Sequence, residues 1–184
     1  MEIRLHYAYA ETCSCPEGWT VVGAVGAGRL ALAYDPERRP HLIGEGVPVP
    51  LDRAEVNAAL AHAVDAAASR LWPGGWTVPF AQVFNVNRRS LLPDRLARQG
   101  LPPGVLRALG DMSSEPDPEG LGWMLMSLAR YADAWGEHSN PNERIERAMQ
   151  AASNASEWLK IARRTLPAWR PKDNEHDPSA DTIP

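Results

Sequence analysis

Cysteine is nearly absent. Cys13 and Cys15 are the only two in 184 residues, and they stand one position apart. Thiols at that spacing rarely bridge each other, and two of them make no disulfide framework. They also make a poor metal site. Structural zinc sites draw on paired cysteines in duplicate, whereas here one C-x-C has only His6, on a neighbouring strand-like segment, as a third donor. No metal and no cofactor are expected. A nucleophilic cysteine would need a base held by a third group, and no such set stands out.

Long apolar runs are also missing. No stretch approaches the ~18 apolar residues of a membrane span, and the N-terminus carries no charged-then-apolar leader. Together with the lack of a disulfide framework, this points to a reducing, cytoplasmic setting. Lysine is scarce too: Lys160 and Lys172 are the only two of the 19 basic residues that are not arginine. With so much Ala, Gly and Pro, that bias reads as the codon usage of a GC-rich genome before it reads as selection for phosphate contacts.

The body of the chain lacks net charge. The whole sequence carries −4, and Asp173, Glu175, Asp177 and Asp181 supply all of it, so residues 1–172 sum to zero. A strongly steered nucleic-acid binder has a clear basic excess, so that class is not the first reading. A dinucleotide loop is missing as well. Gly23-Ala24-Val25-Gly26-Ala27-Gly28 has the wrong glycine spacing, and a strand follows it where the fingerprint needs a helix. It reads as a hairpin turn.

What is present is a globular composition, 44% hydrophobic and 23% charged, enough for one ordinary core. Residues 3–10 alternate as a half-buried strand, with Ile3, Leu5, Tyr7 and Tyr9 on one face. Residues 19–34 read as a hairpin turning at Gly26–Gly28. A short strand near His41–Val49 follows, with Pro48 and Pro50 marking an edge. The first firm helix is 53–71. Asp52 and Glu55 form a capping-box-like pair, and Val56, Leu60, Ala63, Val64, Ala67 and Leu71 form the buried stripe. Residues 77–86 then alternate as a further strand.

Beyond it the pattern predicts helices only. A helix over 95–99, capped by Asp94, ends at Gly100. A second runs from Pro102-Pro103 to Leu109 and stops at Gly110. A third runs from Pro118, capped by Asp117, to about Trp135, with Leu121, Met124, Leu125, Leu128, Ala132 and Trp135 as its apolar face. The last runs from Pro141, capped by Asn140, to about Arg164, with the stripe Ile145, Met149, Ala152, Ala155 and Leu159.

Strands first and helices after make the fold α+β: an N-terminal antiparallel meander sheet of about four to five strands with one packed helix, then an α-helical C-terminal half. The expected organisation is a sheet domain over 1–112, including a basic connector at 76–112, a helical hairpin over 113–166 packed on it, and an acidic, proline-rich tail over 167–184.

Chemistry-bearing residues are dispersed. His41, His62, His138 and His176 share no neighbourhood in the sequence, and Asp65, one turn from His62, is an ordinary helix-surface neighbour. The one concentration of charge is Arg88, Arg89, Arg95, Arg98 and Arg107, which with Asp94 gives +4 over residues 88–107. Two short helices around Gly100 resemble a helix-turn-helix, but GVLRALG has one charged residue, too few to read base edges. Arginine is enriched where proteins meet. Trp158 falls off the stripe of its helix, and an exposed tryptophan is an interface cue; packing against a neighbouring element is the plainer explanation.

The expectation is therefore a non-enzymatic interaction or regulatory protein, of the kind an accessory gene of a phage or mobile element encodes. It would bind a protein partner through Arg88, Arg89, Arg95, Arg98, Arg107 and Trp158. Nucleic-acid binding through the same arginines is the first alternative. An enzyme whose site lacks a motif is the second, and it requires His6, His62 and carboxylates to converge in one pocket. No membrane contact is expected, and no residue pattern specifies an oligomeric state.

Overall fold

The computed structural model describes residues 1–5, 15–27, 30–134 and 140–165. Five short strands are followed by helices. The strands are β1 (Ile3–Arg4), β2 (Thr20–Val25), β3 (Leu30–Tyr34), β4 (Pro40–Ile43) and β5 (Val49–Pro50). The helices are α1 (Arg53–Leu71), α2 (Thr77–Val83), α3 (Pro93–Gln99), α4 (Pro103–Ser113), α5 (Pro118–Ala134) and α6 (Pro141–Thr165), with a 3-10 turn at Arg88–Leu91 between α2 and α3. The fold is α+β, as the strand-then-helix order predicts.

The sheet is an antiparallel meander with spatial order β1-β2-β3-β4-β5. Ile3 pairs with Val25, Thr20 with Tyr34, Tyr34 with Pro40, and His41 with Pro50. The span expected as one strand near 41–49 is thus a hairpin of two, with proline-bearing β5 at the edge, where a missing N–H costs least. Gly23 is required by close approach: a Cβ there would run into the Arg4 carbonyl of β1. The strand expected over 3–10 is described only to Leu5.

Each face of the sheet has its own core. Val22, Leu32 and Tyr34 join the α1 stripe and the helices that follow it, while Val21, Ala31, Ala33 and Ile43 pack under Trp19 and Cys15 on the other face. The expected α1 stripe is buried along its whole length. Asp52 caps the helix as anticipated, its Oδ1 accepting from the N–H groups of Ala54 at 2.9 Å and Glu55 at 3.0 Å.

Residues 77–86 do not form a strand. Seven of them form α2, and the reason is aromatic spacing. Trp76, Phe80 and Phe84 recur every four residues; the first two rings meet edge to face at 5.6 Å, and the last two are tilted against each other at 4.5 Å. Phe80 is fully buried and also meets Trp72. Pro79 is in the first turn, where no intrahelical N–H is needed. Asn85 then adopts φ +49, and the Val86 N–H returns to the Ala81 carbonyl at 3.0 Å, closing the helix with a left-handed cap.

The later helices also depart from expectation. α3 starts at Pro93, not after an Asp94 cap, and the Leu92 carbonyl accepts from Leu96 N–H. Gly100 ends it, as expected, at φ +66. α4 runs through Gly110 to Ser113, and the Gly110 carbonyl accepts from the hydroxyls of Ser113 and Ser114. Asp117 caps α5 through Gly120 N–H, and Asn140 caps α6 through Asn142 N–H. Met124, placed by the pattern on the buried face of α5, is exposed; Gly122 is the buried residue, seated so tightly on α1 that a Cβ would strike the Leu71 carbonyl. On α6 the expected stripe residues Ile145, Met149 and Leu159 are exposed, and Ala148 is buried.

The chain divides into two compact units, Met1–Ala134 and Trp135–Pro184. In the second, α6 is the described element.

Candidate functional site

The arginine segment is built on the first unit by two short, well-anchored pieces. Asn87 caps the 3-10 turn, its Oδ1 accepting from Arg89 N–H at 2.9 Å, and Leu91 is buried beneath it. Leu96 anchors α3 in the same way. With Leu91 and Leu96 pointing inward, the intervening side chains face water. Arg88, Arg89, Arg95 and Arg98 are exposed, and Leu92 among them is 53% exposed. Arg95 and Arg98 are three apart on α3 and share a face. Arg98 Nε donates to the backbone carbonyl of Asp94 at 3.0 Å. Among the described residues, none of these four guanidinium groups lies within salt-bridge distance of a carboxylate.

Arg107 is different. It is half-buried on α4 and already interacts with other groups of the protein. Trp158 is 68% exposed on α6 and belongs to the second unit, so it is described apart from the arginines.

The residues weighed for chemistry do not assemble among the described ones. His62 is exposed on α1, and Asp65 is engaged by Trp76, whose Nε1 donates to it at 2.8 Å. His41 packs its ring on Trp19 at 4.5 Å. His6, Cys13, His138, His176 and the tail over 167–184 lie outside the described residues. Among those described, no group of three or more His, Cys, Asp or Glu side chains could hold a metal ion. No helix is long and apolar enough to cross a membrane.

Sequence reasoning missed one concave feature. A cleft of about 140 Å3 lies where the β3–β4 turn, the start of α1 and the α3–α4 link meet; Tyr34, Arg38, Arg53, Asn57 and Gln99 supply its polar lining. Its members come from segments far apart in the chain, so no local pattern announces it. The nearest cue was the turn Asp35-Pro36-Glu37-Arg38-Arg39-Pro40. There Asp35 is buried and held by Arg39, which donates its N–H at 2.8 Å and its Nε at 2.6 Å. Burial opposes the charge on Asp35, but the Arg39 N–H, the Arg39 guanidinium and His41 together outweigh it and hold the carboxyl below its ordinary value. Compared with known proteins, the chain matches no family model, no curated protein and no solved structure.

Proposed function

We propose that this is a non-enzymatic interaction protein that docks an acidic surface of a protein partner on Arg88, Arg89, Arg95 and Arg98. The observation that carries the reading is that four guanidinium groups on two short, anchored elements face solvent with no carboxylate within salt-bridge distance among the described residues, Asp94 included. Leu92 gives that surface an apolar centre with arginines on either side in the chain. Arginine is enriched in protein interfaces and among their energetic centres. Trp158, exposed on α6, offers a second anchor of the same kind on the other unit. Arg107, already engaged, supports the surface and contributes less to it. An accessory role in a phage or mobile element suits such a binder.

A neutral body favours a protein over a polyanion. The test is affinity capture from the source organism's lysate, with the wild-type chain and Arg88→Ala/Arg89→Ala as paired baits. The expected result is one stoichiometric protein held by the wild type and lost from the variant. Recovery of DNA or RNA instead, with binding that weakens steeply as salt rises, would turn the assignment to a nucleic-acid binder.

A further inference from the structure

We propose that the cleft between the β3–β4 turn, the start of α1 and the α3–α4 link is a binding site for a phosphate group, free or on a small monoester. Arg38 and Arg53 would grip it over a floor made by Tyr34 and Asn57. This goes beyond the docking surface and does not depend on it.

The floor is buried and polar. Tyr34 is 5% exposed and Asn57 3%. Tyr34 lines the cleft. Its burial, only partly offset by the Arg53 charge, pushes its pKa up to about 12, so it stays protonated and can donate. Asn57 Nδ2 donates to the Arg98 carbonyl at 3.3 Å, which uses one of the two hydrogens on that nitrogen.

The walls supply charge. Neither Arg38 nor Arg53 has a carboxylate within salt-bridge distance among the described residues. Of the acids nearest in sequence, Asp35 and Glu37 are both paired with Arg39 and Asp52 caps α1, while Glu55, two residues from Arg53, lies beyond salt-bridge distance of it. The lining itself contains no Asp or Glu. Two unpaired guanidinium groups match the double charge of a phosphate monoester better than the single charge of a carboxylate.

The backbone bends to place these groups. Arg38 sits at φ +62, a left-handed conformation that glycine would adopt without strain. Gly100, at φ +66, closes the opposite side so tightly that a Cβ would stand 2.6 Å from Asn57 Oδ1. Leu101, Pro102 and Pro103 add an apolar wall suited to the carbon side of an ester. The volume is well below the ~300 Å3 at which ordinary ligand pockets begin, so the group taken is small. Because Asp52 already occupies the first amides of α1, the grip comes from side chains and not from the helix end.

The test is isothermal titration calorimetry of the full chain at neutral pH and fixed ionic strength, with inorganic phosphate, O-phosphoserine and acetate as separate titrants. Phosphate or phosphoserine should bind at least about tenfold more tightly than acetate. Binding of inorganic phosphate alone assigns the free ion, and binding of both assigns the monoester. Arg53→Ala and Arg38→Gly should each weaken binding about tenfold or more. Glycine suits the backbone at position 38, so that variant should keep its melting temperature while binding more weakly. Arg130→Ala, on exposed α5 surface, should change nothing. Acetate binding as tightly as phosphate, no heat with any titrant, or undiminished binding in Arg38→Gly/Arg53→Ala would overturn the proposal.

Discussion

Single residues carry much of the geometry around the first unit's polar edge. Gly100 combines a glycine-only backbone with contact against Asn57, so Gly100→Ala should cost about 1–3 kcal/mol in urea unfolding. A cost below a few tenths would mean that the α3–α4 link is not under this constraint. Asp35 gives the pH dependence. Its carboxyl titrates lower in the folded chain than in the unfolded one, so its contribution to stability is full above the ordinary carboxylate value and is lost as pH falls through the lower folded value. Thermal melts of wild type and Asp35→Asn across the acid range should therefore differ at neutral pH and converge in strong acid. Parallel curves would contradict the Asp35–Arg39 contact. At this scale the caps at Asp52, Asp117 and Asn140 were legible in the sequence, because a capping side chain and the amides it meets are two or three residues apart. The cleft was not, because Tyr34, Arg53 and Gly100 meet only once the sheet and α1 have packed.

Short elements show where pattern reading misleads. In α2 the residues Thr77, Val78 and Val83 have strand-like chemistry, yet the ring series Trp76, Phe80 and Phe84 decides the outcome by burying Phe80 completely. Tertiary burial outweighs local preference over so few residues. Phe80→Ala should accordingly cost about 3–5 kcal/mol, read by denaturant unfolding, with loss of the near-ultraviolet aromatic signal. An effect under ~1 kcal/mol would mean that the aromatic stack does not hold the helix. α6 gives the opposite lesson. Its helical period and N-cap were legible, but Ile145, Met149 and Leu159 are exposed, and periodicity alone does not say which side of a helix is covered. The bounds of α1 and the burial of its expected stripe were legible because the stripe is long and regular, while the burial of Asn57 and Ala68 was not.

At the scale of the whole molecule, the strand-then-helix order was enough to establish α+β, and the meander follows from short connections between successive strands. Both hydrophobic clusters draw all their residues from the first unit. A chain ending at Ala134 should therefore keep a cooperative thermal transition and its sheet signal in circular dichroism; a noncooperative, molten profile would show that the first unit does not fold by itself. The exposure of Arg88, Arg89, Arg95 and Arg98 follows from the inward anchors Leu91 and Leu96, a relation visible only once the helices are in place. On the proposed reading these four outward-facing side chains dock a partner. The deciding measurement is the affinity of the captured protein for wild type and for the fourfold alanine variant, measured over a range of salt. The variant should lose at least about a hundredfold in affinity and show a flatter salt dependence. An unchanged affinity for the same partner would contradict that reading.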